Sequence, residues 1–269
     1  MATFADNVLT VQTVQISPFR TLMAALKDVL VETNITFQAD GIKIINMDKS
    51  HTILAHLKLE AKNFEVYECK KEKIIIGVNM FHLFKLINSI DNDDILTMYI
   101  ENCDYVDGVV SHLSLKFENG DIRQCKTQKL RLIEPDMEEL SYPDVNFSSI
   151  INLPSYDFQK IVRDLSCISD KLEIKSVGSE LIFKCQGAFA SAEIHRAETD
   201  GSMEFILKQE VSKVIQGEFS LKNLGYFIKC TNLCQQIEIY LANDLPLVVK
   251  YNVASLGAIY LGLAPLPSS

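Results

Sequence analysis

The side chains able to do chemistry in this sequence are scattered histidines and thiols, a set of cations at helical spacing, and a mid-chain run of carboxylates. His51, His56, His82, His112 and His195 fall singly, and there is no HExxH, no GxSxG and no glycine-rich phosphate loop. Metal-assisted hydrolysis, acyl transfer and nucleotide chemistry each need one of those arrangements. No enzyme activity, catalytic residue or cofactor is therefore expected. The 7 cysteines, at positions 69, 103, 125, 167, 185, 230 and 234, include no CxxC pair. That pattern predicts reduced, buried thiols rather than a disulfide framework. Cys230 and Cys234 are one helical turn apart, but no histidine nearby completes a ligand set, so no metal is expected.

The cations are more coherent. Arg20 and Lys27 stand two turns apart in one helical segment, as do Lys222 and Lys229 in another. Lys160 and Arg163 share a third segment, and Lys85 lies opposite the apolar stripe of a fourth. Only Asp28, Glu32, Asp157 and Asp164 oppose them, although the whole chain carries a net charge of −9. A locally basic face on an acidic chain suits phosphate contact without sequence preference. No aromatic interleaving indicates base stacking, and no Arg/Asn/Gln cluster indicates base reading.

Four amphipathic helices must position those cations. The first opens at Ser17 as cap with Pro18 behind it, and carries Phe19, Leu22, Met23, Leu26, Val29 and Leu30. The second opens at Asn79, with Met80, Leu83, Phe84 and Ile87 in its stripe. The third opens at Ser155, with Phe158, Ile161, Val162 and Leu165, and the last at Ser220, with Leu221, Leu224 and Ile228. Between them the pattern is that of strands, with hairpin turns predicted at Asp40-Gly41 and Asn119-Gly120.

The caps recur at nearly the same interval in each half, and each half runs strand, helix, strands, helix, strands. A duplication is the natural reading. The fold class is α+β: two similar β-rich domains, each with two helices on one face. Residues 130–147 join them through Pro135 and Pro143, with Glu134, Asp136, Glu138, Glu139 and Asp144 making the connector acidic. Apolar Leu132, Ile133, Met137, Leu140 and Tyr142 predict that it lies against something. The expected division is residues 1–129, the connector 130–147, and residues 148–269.

These residues also carry a resemblance. FRTLMAALKDVLVETNITFQADGIKIINMDKSH, GVNMFHLFKLINS, FQKIVRDLSCISD and PLVVKYNVASLG followed by YLGLAP resemble proliferating cell nuclear antigen, the eukaryotic-type DNA sliding clamp family, over residues 8–265. The resemblance implies the DNA clamp fold, closing as a pseudo-six-fold ring in a trimer with the helices lining the hole. Ring contacts would join the segments 124–132 and 188–196. Partner proteins carrying a PIP-type motif would insert a 3₁₀ turn beneath the connector. Carried over by position, that pocket uses Met47, His51, Thr52 and Leu54, then Leu140, Tyr142, Pro143 and Phe147, with Pro246, Ala264 and Pro265. The sequence departs from the family at Leu261 and Gly262, where an aromatic pair usually precedes LAP, and at Thr52, usually aliphatic. A roomier pocket wall at Gly262 is therefore expected.

The implied function is a polymerase processivity factor that encircles duplex DNA, binds polymerase and clamp loader, and tethers replication and repair enzymes as a homotrimer. The alternative is a monomeric or heteromeric clamp-like processivity or checkpoint factor. No apolar leader opens the sequence, and no apolar run of about twenty residues could span a bilayer. The expected location is the nucleus, or a cytoplasmic replication compartment for a viral copy.

Overall fold

A computed structural model describes residues 6–120, 123–136, 140, 145–208 and 213–267. The chain divides into two compact units, residues 1–46, 56–141 and 253–258 in the first, and 47–55, 142–252 and 259–269 in the second.

The first unit follows the order β1 (Asn7–Thr13), α1 (Ile16–Val29), β2 (Glu32–Gln38), β3 (Gly41–Met47), β4 (Ile53–Glu60), β5 (Val66–Cys69), β6 (Lys73–Asn79), α2 (Met80–Ile87), β7 (Ile95–Glu101), β8 (Tyr105–Val106), β9 (Val109–Val110), β10 (His112–Asn119) and β11 (Gln124–Arg131). One sheet has the order β5-β1-β7-β10-β11; in the other, β6, β2 and β3 lie side by side and β4 follows. Alternation explains the layering: Ile35 and Phe37 of β2, Ile74, Ile76 and Val78 of β6, and Leu96, Met98 and Ile100 of β7 are all buried. Phe19, Leu22, Met23 and Leu26 of α1 join Met80, Leu83 and Ile87 of α2 in the same core. Each such side chain contributes roughly 1.5–3 kcal/mol on burial.

The second unit contains β12 (Ser149–Pro154), α3 (Ser155–Ser166), β13 (Lys171–Val177), β14 (Glu180–Gln186), β15 (Ser191–Ala197), β16 (Glu204–Leu207), β17 (Val214–Ser220), α4 (Leu221–Phe227), a 3₁₀ turn (Ile228–Leu233), β18 (Gln236–Leu241), β19 (Leu247–Val253) and β20 (Gly257–Leu263). Its sheets run β16-β12-β18-β19-β20 and β17-β13-β14-β15. These orders repeat those of the first unit strand for strand, so the duplication seen in the sequence is a duplication of topology. Phe158, Ile161, Val162 and Leu165 of α3 are buried with Leu221, Leu224 and Phe227 of α4.

Several local expectations need correction. Helix α1 starts at Ile16 with Gln15 as its cap residue, so Ser17 is already helical and its carbonyl receives the Thr21 hydroxyl at 3.0 Å. Pro18 is tolerated there because the first-turn amides have no intrahelical acceptor. Ser155 is likewise inside α3; its hydroxyl donates to the carbonyls of Cys234 (2.6 Å) and Thr231 (3.2 Å) instead of capping. Asn79 and Ser220 do cap, accepting from the amides of His82 (3.1 Å) and Asn223 (3.3 Å). The first hairpin turns one residue earlier than Asp40-Gly41. Gln38 pairs with Gly41, leaving Ala39 and Asp40 as the loop. The second pairs Asn119 with Gln124, so its loop is longer than a two-residue turn; its residues 121–122 lie outside the described residues. The thiols are not uniformly buried either: Cys185 and Cys230 are, but Cys103, Cys125 and Cys167 are exposed.

Candidate nucleic-acid and partner-binding surfaces

The helix cations differ in how they are held and in how exposed they are. Arg20 bonds the Ile90 carbonyl and, at 3.1 Å, the Asn92 side chain, clamping the turn after α2. Lys27 pairs with Asp28 at 2.8 Å and lies 4.9 Å from the Phe84 ring centroid, which ties α1 to α2. Lys85, Lys160, Arg163, Lys222 and Lys229 are exposed. Among the opposing acids, Asp157 is taken by Arg196 at 2.6 Å, leaving α3 more positive than its sequence implies.

Aromatic side chains interleave with these cations, contrary to the sequence reading. Phe81 is 48% and Tyr156 67% exposed. Phe81 precedes Lys85 by one turn on α2 and carries its ammonium 4.5 Å from the ring centroid. Tyr156, Lys160 and Arg163 form one exposed stripe on α3. Tyr226 lies between Lys222 and Lys229, with the Lys229 ammonium 5.4 Å from its ring. Phe84 and Phe158 fall in the apolar stripes of their helices and are half-buried and buried, whereas Phe81 and Tyr156 lie outside those stripes and are exposed.

The MDKSH turn is organised by Asp48, which the sequence reading passed over. One carboxylate oxygen accepts the amides of Thr52 (2.8 Å) and Ile53 (2.7 Å), the other the Ser50 amide (3.2 Å) and hydroxyl. Burial works to raise the Asp48 carboxyl, but hydrogen bonds from Ser50, Ile53 and Thr52 outweigh it and hold it below the ordinary aspartate value. His51, at φ 55, turns the chain and is exposed. Thr52 then links three segments of the second unit: its carbonyl accepts from Ala264 (2.9 Å), and its hydroxyl meets Ser50 (2.8 Å) and Asn223 (3.3 Å). Phe147 packs edge-on against Tyr240, centroids 5.4 Å apart.

Of the remaining pocket candidates, Met47 and Leu54 are half-buried and Pro246 is exposed. Pro265 lines a polar hollow of about 430 Å³ with Glu218, Asn243 and Asp244. Leu140 belongs to the first unit, where it lines a hollow of about 220 Å³ with Asn34, Ile45, Ile75 and Pro135. Tyr142 and Pro143 lie outside the described residues, as do Met137, Glu138, Glu139 and Asp144. Ile133 and Asp136 of the connector lie against other segments of the first unit. Ile133 and Gly77 bond at 3.0 Å, and Asn34 grips Asp136 through bonds of 2.6 and 3.0 Å. Gly77 is required there, since a Cβ would stand 2.6 Å from the Ile133 carbonyl oxygen.

The strands β11 and β15 are sheet edges. On β11, Lys129 is bound by Glu101 and Asp104, the latter at 3.1 Å. Burial raises the Asp104 carboxyl, yet Lys129, Ser111 and His112 together hold it below its usual value. The ligand atoms of Glu101, Cys103 and Asp104 lie within 4.8 Å of one another; the cation those carboxylates hold is the Lys129 ammonium. On β15, His195 sits between Glu193 (2.8 Å) and Glu180 (3.4 Å), which raise its pKa.

The family model described as proliferating cell nuclear antigen, N-terminal domain, matches residues 8–139, and that for the C-terminal domain matches residues 141–266. The chain belongs to the proliferating cell nuclear antigen family. It is 33% identical over 269 residues to the probable DNA polymerase sliding clamp 1 of Paramecium bursaria Chlorella virus 1, covering 98% of this chain and 99% of that protein. It is 34% identical over 226 residues to the probable DNA polymerase sliding clamp of Acanthamoeba polyphaga mimivirus, covering 84% of this chain and 47% of that protein.

Gly262 is one of the two positions at which the sequence lacks the family's aromatic pair. The glycine is buried, and a Cβ there would stand 3.6 Å from Leu54 Cβ and 3.8 Å from Val248 Cγ2. Both distances are ordinary van der Waals contacts, so a small side chain would fit there beside Leu54 and Val248. Among the described residues no helix is long and apolar enough to cross a membrane.

Proposed function

We propose that this family member works as a DNA sliding clamp, a non-enzymatic processivity factor that encircles duplex DNA as a homotrimer. The observation that carries the reading is the tandem match of both proliferating cell nuclear antigen domains across a chain whose two units repeat one topology. Lys85, Lys160, Arg163, Lys222 and Lys229 supply exposed phosphate contacts on the helix faces. Lys27 and Arg20 add charge from partly committed positions. Retention is topological, so individually weak contacts allow sliding.

Closure uses main-chain pairing of β11 with β15 of another copy. The cationic excess on β11 is the feature that would favour a monomer. It is reduced because Lys129 is neutralised by Glu101 and Asp104, while Glu193 stands on the complementary edge. The surface of the second unit around Thr52, Leu54, Phe147 and Ala264 takes the 3₁₀-turn motif of polymerase, clamp loader and repair partners, with Met47, His51, Pro246 and Pro265 at its margins. The domains divide at residues 130–147. The protein acts where DNA is replicated, in the nucleus or a cytoplasmic replication compartment.

Sedimentation equilibrium tests the assembly. Three copies of the 30.3 kDa chain give about 91 kDa. A persistent monomer at micromolar concentration overturns the ring and promotes the monomeric clamp-like alternative. Extension of a primed template by a replicative polymerase, with and without the protein, tests the processivity claim.

A further inference from the structure

Phe81 and Tyr156 have no place in a purely electrostatic account of the helix faces. Each is an exposed ring, at 48% and 67%, on a helix whose other phenylalanine, Phe84 or Phe158, is half-buried or buried. Each precedes a lysine by one turn, Lys85 and Lys160, about 6 Å along the axis. Within the first unit the Lys85 ammonium rests over Phe81. Within the second, Tyr156 heads a stripe that continues through Lys160 and Arg163, with Asp157 withdrawn into its pair with Arg196. A ring and a cation repeated on one stripe are the elements of single-strand recognition, in which bases stack on aromatic faces while ammonium groups hold phosphates.

We propose that these helix faces also bind single-stranded DNA, stacking unpaired bases on Phe81 and Tyr156 while Lys85, Lys160 and Arg163 hold the adjoining phosphates. The inference rests on the clamp reading, in which the same faces meet duplex. It adds to that reading an affinity for unpaired nucleotides, which duplex phosphate contact alone does not provide. Charge complementarity selects a polyanion, and the exposed rings select one that carries bases.

The chain contains no tryptophan, so Phe81→Trp and Tyr156→Trp each introduce a single reporter. Oligothymidylate at low salt is expected to quench that emission; inorganic polyphosphate, a polyanion without bases, is expected to leave it unchanged. Phe81→Ala and Tyr156→Ala should each weaken oligothymidylate binding about tenfold, within the range for loss of one base stack, while shifting polyphosphate binding less than about twofold. Equal quenching by both polyanions, or equal loss of both ligands in the alanine variants, would show that the rings only support the lysines and would overturn the inference. Retention of the wild-type protein on circular duplex is read in parallel. Retention without oligothymidylate binding sinks this inference alone, and absence of both sinks the clamp reading as well.

Discussion

Replacing Asp48 removes the acceptor on which the MDKSH turn is built. Asp48→Ala strands the amides of Thr52 and Ile53, bonded at 2.8 and 2.7 Å, and frees the weaker Ser50 amide at 3.2 Å. A hydrogen bond to a charged group contributes about 1.5–3 kcal/mol when fully shielded. The turn is only half-buried, so water recovers part of each, and a total loss of roughly 2–3 kcal/mol follows. Asp48→Asn keeps an oxygen acceptor without the charge and should lose about half as much. The Thr52 carbonyl holds Ala264, so loosening the turn also disorders the surface assigned to partner peptides. Urea unfolding and titration of a peptide with the family's 3₁₀-turn motif read both effects. Because the folded Asp48 pKa is lowered, its contribution is fully present above the unfolded aspartate value of about 3.9 and disappears as pH falls through the folded value. The difference between wild type and Asp48→Ala should therefore shrink below about pH 4. An alanine variant that unfolds at the wild-type urea concentration and binds peptide equally would refute the reasoning.

Other outcomes follow from the same geometry. Charge reversal at Lys85, Lys160, Arg163 or Lys229 should leave the fold intact and weaken duplex binding. Each phosphate interaction removed in this way should flatten the slope of log affinity against log salt by about 0.9, and an unchanged slope after all four reversals would contradict the basic-face assignment. Arg20→Ala should act differently, costing about 1–3 kcal/mol of stability because the Ile90 carbonyl and Asn92 lose their donor; urea unfolding with an unaltered midpoint would exclude that clamp. His195→Pro places a proline where the amide of edge strand β15 points away from β14, since the hydrogen-bonded pairs of that ladder fall on the alternate residues, and should shift the assembly from trimer to monomer in sedimentation, with circular dichroism showing the fold retained.

The repeated order of strands and helices was legible because periodicity is local: alternating residues such as Ile74, Ile76 and Val78 can only serve a strand with one face in a core. Caps were legible where the side chain meets its own helix, as at Asn79 and Ser220. They were not at Ser155, whose hydroxyl is drawn to carbonyls far along the chain. The same limit hid the role of Asp48, visible only once the turn closes, and that of Asn34, which grips a connector residue distant in sequence. Arg20 and Lys85 carry the same charge and both lie on helices, yet one is consumed by the Ile90 carbonyl and the other faces solvent. Exposure, which sets Phe81 and Tyr156 apart from the core aromatics, depends on what the rest of the unit covers.

The central claim is that this protein is held on DNA by encirclement, and a nicked circular plasmid tests it most directly. After loading with a clamp loader, the protein should co-elute with the circle in gel filtration at a salt concentration that removes phosphate-bound protein. Cutting the circle once with a restriction enzyme should release it, because a ring slides off an end. Protein that leaves the intact circle at that salt, or that stays equally bound to circle and linear DNA, would contradict the account.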